Sequence, residues 1–295
     1  MNVLVVGAAG FIGSNVVKKL LECGYCVLAV DKVNTEYLSN ENISFFQRDI
    51  IKDDLEDIFK NYQIDYIIHL AGVSNVGLSI TNPEYDAQVN IVGTINILNL
   101  AKKYKIKKLL TASSAAIYGN TNSFPIQETN IPNPISPYGL SKLTMEKYIK
   151  LFDIPYIIFR CSNVYGKKES GCDIITKLDN LMKNNKEIVI SGDGTNVRDF
   201  IYVKDVAKAF VKALTAPVEN EVINLSTGIG TSIKDLINIM SKIYDYNQEI
   251  TYTPVVKDYD IQTSILSNNK LLTLFPAFAN TLTDLENGIR NIRYE

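Results

Sequence analysis

Residues 2–13 read Asn-Val-Leu-Val-Val-Gly-Ala-Ala-Gly-Phe-Ile-Gly, a short apolar run that enters glycines at positions 7, 10 and 13. An apolar run of this length ending on glycine predicts a buried strand at 2–6. Phe11, Ile12, Val16, Val17, Leu20 and Leu21 recur at helical spacing and predict a helix from 11 to about 22. In such a strand–turn–helix, Gly7 permits the tight turn and Gly10 lets the backbone approach a pyrophosphate. Gly13 lets the helix pack close on the strand. The free N–H groups and partial positive charge at the helix start then face the phosphates, so Phe11 and Ile12 join the glycines in the expected coenzyme-binding set.

The same reading continues along the chain. Strands are expected at 26–30, 43–47, 65–70, 108–112 and 154–160, with helices near 53–60, 83–104 and 137–151. This alternation predicts an α/β fold, a Rossmann-type doubly wound parallel sheet with helices on both faces. Past about 161 the pattern loosens into helices near 173–184, 203–215, 232–245 and 282–291, with strands at 188–190 and 222–225. A smaller C-terminal α/β substrate lobe is expected there. The expected division is 1–160 for the dinucleotide domain and 161–295 mainly for the substrate lobe, with some segments returning to the first domain and a cleft between the two.

The totals narrow the function classes. The chain has 295 residues, 46% hydrophobic and 21% charged, with a net charge of −2. That balance offers no basic face for nucleic acid. No signal peptide or membrane span is visible, so a cytoplasmic location is expected. Cysteines stand at 23, 26, 161 and 172, and Cys23-Gly24-Tyr25-Cys26 spells C-x-x-C. With no second pair and a single histidine, His69, no metal site is expected. Cys23 and Cys26 read instead as small fillers closing a helix and opening a strand.

Asp31 ends the second strand, where a carboxylate accepts the hydroxyls of an adenosine ribose and repels a 2′-phosphate. NAD is therefore expected over NADP, with the adjacent Lys32 softening the preference. Asp49 and Ile50, after the third strand, are placed against the adenine. Leu70, Ala71 and Gly72, after the fourth, are small enough for the backbone to approach the coenzyme.

Three further residues add a reaction to this binding site: Ser114 in TASSAAIYG, and Tyr138 and Lys142 in SPYGLSK. Tyr138 and Lys142 are four positions apart and share a helix face. A free tyrosine has a pKa of about 10, and an ammonium about 5 Å away supplies roughly 3 kcal/mol at an effective dielectric of 20. Lys142 is therefore expected to lower the phenol, and Ser114 to fix the same substrate hydroxyl.

With these motifs quoted, the chain resembles an extended short-chain dehydrogenase/reductase of the NAD-dependent epimerase/dehydratase family. The resemblance takes in GAAGFIG, HLAG, SSAAIYG, YGLSK, FRCSNVYG, GDGTNVRDFIYVKDVA and NLSTGIGTSIKDL. It implies that Tyr138 is the base, that Lys142 lowers its pKa and binds the nicotinamide ribose, and that Ser114 assists. It places Asn90 near the coenzyme, and Asn163 and Arg198 on a nucleotide diphosphate. An ordinary pair of Arg198 with Asp199 is the competing reading. Lys257 matches the arginine of the family's Arg-Pro-Gly-Asp stretch and loses its bidentate fork.

The resemblance also ranks reactions. Family dehydratases carry Asp-Glu directly after the catalytic threonine, where this chain has Ala115 and Ala116, so dehydration is set aside. A nucleotide-sugar 4-epimerase working through a transient 4-keto sugar is expected first, and a 4-ketoreductase or 4-dehydrogenase second. A non-catalytic NAD-binding protein is the alternative from another class. The family also suggests a homodimer through the helices near 83–104 and 137–151. The small Ser264 leaves room for an enlarged sugar.

Overall fold

The computed structural model describes residues 1–39, 41–167, 173–254 and 261–294. The first half alternates as β1 (Asn2–Val6), α1 (Phe11–Glu22), β2 (Cys26–Asp31), β3 (Ile43–Gln47), α2 (Glu56–Asn61) and β4 (Tyr66–His69). There follow α3 (Val76–Thr81), α4 (Pro83–Ala87), a π-helical turn (Gln88–Val92), α5 (Gly93–Lys103), β5 (Lys108–Ser114), α6 (Pro137–Leu151) and β6 (Tyr156–Cys161). The second half adds β7 (Asn163–Tyr165), α7 (Ile174–Lys183), β8 (Ile188–Ser191), β9 (Val197–Tyr202), α8 (Val203–Thr215), β10 (Glu221–Leu225) and β11 (Gly230–Ser232). It ends with α9 (Ile233–Tyr244), β12 (Ile250–Thr253), β13 (Thr263–Ser264), α10 (Asn269–Leu274) and α11 (Leu285–Tyr294).

Seven parallel strands form the main sheet in the order β10-β6-β5-β4-β1-β2-β3. Their residues are buried on both faces, which is why β1 and β4 read as continuous apolar runs. One core layer packs Val16, Val17 and Leu20 of α1 with Val206 and Phe210 of α8 on one face. The other packs Ile97 and Leu98 of α5 with Met145 and Ile149 of α6 on the opposite face. The strand order reverses between β1 and β4, the point where such sheets open a crevice at their carboxyl ends.

The chain past residue 160 divides its elements between two bodies. The expected strand at 222–225 is β10, and it joins the edge of the main sheet beside β6. Helix α8 packs beside α1. A four-stranded sheet of β7, β9, β11 and β13, a β8–β12 pair and helices α7, α9 and α11 build the smaller lobe around Leu178, Met240 and Ile289.

The helix expected over 83–104 runs unbroken from Pro83 to Lys103 with a π turn in its middle, and a separate short α3 precedes it. The short strands β7, β9, β11, β12 and β13 carry no apolar run long enough to announce them. Cys23 does cap α1 and Cys26 does open β2, but both are exposed rather than packed. Among the described residues, no helix is long and apolar enough to cross a membrane, and no group of side chains is arranged to hold a metal ion.

Candidate active site

The glycine loop shapes one wall of a cavity of about 310 Å³ at the carboxyl ends of β1, β2, β3 and β4. Gly7 has φ +86°, and a Cβ there would stand 2.3 Å from the backbone nitrogen of Ala71. A Cβ on Gly13 would stand 2.0 Å from the Gly7 carbonyl oxygen, so α1 can approach β1 only through glycine. Gly7, Gly10, Asp31, Lys32, Asp49, Ile50, Leu70, Ala71 and Gly72 all line the cavity. Phe11 and Ile12 lie outside its wall and pack towards the smaller lobe, where Phe11 faces Gly166.

Asp31 is held firmly. Its two carboxylate oxygens accept the Ala9 N–H at 2.9 Å and the Val33 N–H at 3.0 Å, which ties the glycine loop to the end of β2. A carboxylate oxygen has a second lone pair, so ribose hydroxyls remain within its capacity. Asp49 accepts the Ile51 N–H at 2.9 Å and caps the turn after β3. Ile50 packs against Gly93, where a Cβ would strike its side chain at 2.5 Å. A glycine cradle, a helix N-terminus and an anchored acid fit the pyrophosphate and ribose of a dinucleotide.

Ser114 ends β5 and Tyr138 lies in the first turn of α6. Pro137 stands at the start of that helix, and Ser136 accepts the Gly139 N–H at 3.1 Å as its cap. A Cβ on Gly139 would stand 2.6 Å from the Ala116 carbonyl oxygen, so the helix start lies directly on the turn after Ser114. That contact brings the Ser114 hydroxyl near enough to the Tyr138 phenol to oppose the rise in its pKa. The backbone of Tyr138 is pinned on both sides. Its N–H donates to Ser79 Oγ at 3.1 Å, and its carbonyl accepts from Ser141 Oγ at 3.0 Å.

The electrostatics differ from the expectation at one point. Burial pushes the Tyr138 phenol up to about 12, and the nearby Ser114 hydroxyl pulls it back only in part. Lys142 does not deliver the expected lowering. Its ammonium donates to the Ala112 carbonyl at 3.0 Å, and its own burial lowers it to about 8. Desolvation outweighs the charge that spacing alone suggests. None of Ser114, Tyr138 and Lys142 is in the cavity wall itself; Lys142 stands behind Gly72, where a Cβ would be 3.3 Å from Nζ and 2.8 Å from Asn90 Oδ1.

Asn90 is held by protein atoms on every side. Its amide donates to the Val73 carbonyl, Asp86 Oδ1 and Ser141 Oγ, and its oxygen accepts the Val73 N–H at 2.9 Å. It therefore ties the π turn, the strand end after β4 and the catalytic helix together rather than lining the cavity. Asp86, one turn earlier, is buried, with its carboxyl raised mainly by burial and Oδ2 unpartnered. His69 is buried as well and lowered to about 3, first by burial and then by the Lys142 charge.

On the substrate side, Asn163 of β7 is exposed and Arg198 of β9 is half-buried on neighbouring strands of one small sheet. Arg198 Nη1 donates to the carbonyls of Val197 and Gln262. Asp199 is not its partner, since its carboxylate accepts from Ser162, Thr227 and the Gly228 N–H. Lys257 lies outside the described residues.

Comparison with known proteins agrees with this geometry. The family model "NAD dependent epimerase/dehydratase family" matches residues 3–226. The chain belongs to that family. A putative UDP-glucose 4-epimerase of Methanocaldococcus jannaschii is 42% identical over 262 residues, covering 85% of each chain. Among solved structures, UDP-glucose 4-epimerase from Thermotoga maritima, crystallised with UDP-glucose, superposes with a TM-score of 0.93 at 36% identity. The match covers 99% of this chain and 97% of that one. A UDP-N-acetylglucosamine 4-epimerase from Methanobrevibacter ruminantium superposes with a TM-score of 0.90 at 30% identity, covering 99% and 96%. These relatives thus share the fold over nearly the whole chain.

Sequence reasoning missed several cavity residues. Val73, Val89, Ile51 and Tyr85 belong to none of the motifs quoted above. Arg48 had no local signal.

Proposed function

We propose that this chain is an NAD-dependent nucleotide-sugar 4-epimerase that works through a transient 4-keto sugar. The observations that carry the reading are the glycine-walled cavity with Asp31 at its rim and the close fit of the Tyr138 helix on the turn after Ser114. Bound NAD supplies the hydride chemistry, taking a hydride from carbon 4 and returning it to the keto carbon. Gly7, Gly10, Asp31 and Gly72 hold the coenzyme, with Lys142 at its nicotinamide end.

Tyr138 takes the carbon 4 hydroxyl proton in the first half of the cycle and returns it in the second, while Ser114 orients that hydroxyl. Burial favours the protonated phenol and so the return step, whereas the first half needs the phenolate, which a cationic nicotinamide ring nearby would favour. Asn163, Arg198 and Lys257 grip the diphosphate, with Arg198 suited to it by its planar fork. Ala115 and Ala116 hold no proton for an elimination, which supports epimerisation over dehydration. The names of the relatives make a UDP-hexose the first substrate to try. A cytoplasmic homodimer joined through α5 and α6 completes the proposal.

The test is incubation of the purified protein with UDP, GDP, dTDP and CDP hexoses without added coenzyme, followed by NMR and mass spectrometry. Interconversion of 4-epimers is expected. Turnover that consumes stoichiometric NADH or NAD would instead assign the half-cycle of a 4-ketoreductase or 4-dehydrogenase. Tight NAD binding with no change in any sugar would leave a non-catalytic binding protein.

A further inference from the structure

We propose that Tyr85 sets the coenzyme preference of this chain by holding the Lys32 ammonium away from the adenosine ribose, so that a 2′-phosphate meets Asp31 without a counter-charge. The inference rests on the dinucleotide reading above and extends it to a residue outside the glycine loop and the catalytic trio.

The cavity wall near the end of β2 carries two carboxylates, Asp31 and Asp49, and two cations, Lys32 and Arg48. Asp31 cannot swing aside, because each of its oxygens accepts a backbone N–H. A phosphate on the ribose would stand against that fixed negative charge unless a cation joined it. Both cations are engaged elsewhere. Arg48 Nη1 donates to the Gln47 carbonyl at 2.9 Å, and Nη2 faces Asp57 at 3.7 Å. Lys32 Nζ donates to Tyr85 Oη at 2.7 Å and lies 5.4 Å from the centre of that ring.

This contact is tertiary. It crosses the cavity rim from the end of β2 to α4, and Tyr85 itself lines the cavity. The Lys32 backbone is fixed as well, since its carbonyl accepts from Gln47 Nε2 at 3.1 Å. Only the lysine side chain is left to choose between a neutral phenol on α4 and an anion beside Asp31. The phenol hydrogen bond biases that choice without adding charge to the cavity, so NAD, which has no phosphate at that position, loses nothing by it.

The experiment equilibrates the purified protein with equal concentrations of NAD and NADP, isolates it by gel filtration and quantifies the bound nucleotides by mass spectrometry. Tyr85→Phe keeps the ring and removes the acceptor. It is expected to move the bound ratio about fivefold towards NADP, equivalent to about 1 kcal/mol. Adding Lys32→Met to Tyr85→Phe is expected to return the ratio to the wild-type value. An unchanged ratio in Tyr85→Phe, or a shift that survives loss of Lys32, would overturn the inference while leaving NAD binding intact. A wild-type protein that binds neither nucleotide would overturn the dinucleotide reading, and this inference with it.

Discussion

Tyr138 lies in the first turn of a helix set directly on the turn that follows Ser114, because Gly139 has no Cβ to strike the Ala116 carbonyl. Tyr138→Phe removes the phenol and leaves the helix, the cap and the glycine loop in place. Turnover of a nucleotide hexose is expected to fall by on the order of 10² or more, with coenzyme still bound. Steady-state kinetics and the nucleotide content of the purified variant check both halves. An unchanged rate would remove Tyr138 from the mechanism.

Gly72→Ala places a methyl 2.8 Å from Asn90 Oδ1 and 3.3 Å from Lys142 Nζ. The side chains that must give way are Asn90, which ties three elements together, and Lys142, so coenzyme binding and fold are both expected to suffer. Coenzyme affinity should drop about tenfold or more, on the scale of one displaced polar contact. The melting temperature of the coenzyme-free protein should fall as well, because the Asn90 hydrogen bonds are strained. Equal binding by variant and wild type would argue against a coenzyme at Gly72.

His69 is the single histidine, so its proton linkage can be isolated. Its pKa lies near 3 in the folded chain and at its ordinary 6.5 when unfolded, because burial opposes the charge. As pH falls from 6.5 towards 3, the unfolded chain takes up a proton that the folded chain refuses. The stability involved is therefore complete above 6.5 and drains away below it, at up to about 1.4 kcal/mol per pH unit. Urea unfolding between pH 7 and 4.5 should show this slope in wild type and a shallower one in His69→Asn. Parallel slopes would contradict the burial argument.

Arg160 and Glu146 form a buried bidentate pair at 3.0 and 2.8 Å, with Tyr118 and the Glu128 carbonyl accepting the third arm of the guanidinium. Arg160→Met strands a carboxylate in the core and is expected to cost about 3–5 kcal/mol in chemical unfolding. Arg160→Met combined with Glu146→Leu is expected to recover most of that loss. A double variant no better than the single would show that the network around Tyr118, not the ion pair, carries the stability.

Leu140, Tyr148 and Leu151 are exposed along α6, and Val92 is exposed at the start of α5. If a second copy covers this face, Leu140→Glu with Leu151→Lys should halve the mass seen by light scattering at micromolar concentration. A wild-type protein that is already monomeric would remove the dimer from the proposal.

The glycine loop, the strand alternation and the trio were legible because each depends on local spacing: a strand ending on glycine, a period of two layers, and residues one turn apart. What was not legible is non-local. Strand β10 returns to the main sheet after the smaller lobe has begun, and nothing in Glu221–Leu225 marks which sheet it will join. The Lys142 ammonium is aimed by the position of the Ala112 carbonyl on another strand, so spacing predicted its neighbour but not its direction. Lys32 and Tyr85 sit on separate elements and meet only once the sheet is assembled. The π turn left no mark because it contains neither glycine nor proline.

That turn has a further consequence. One surplus residue in a helix advances the downstream phase by about 100°. Tyr85 and Asp86 stand before it, and Thr94, Ile97 and Leu98 stand after it. The offset lets one nearly continuous rod serve two tasks, turning its first segment to the coenzyme rim and its second to the sheet. Removing one residue between 88 and 92 would restore a uniform winding and force one of those two faces out of alignment.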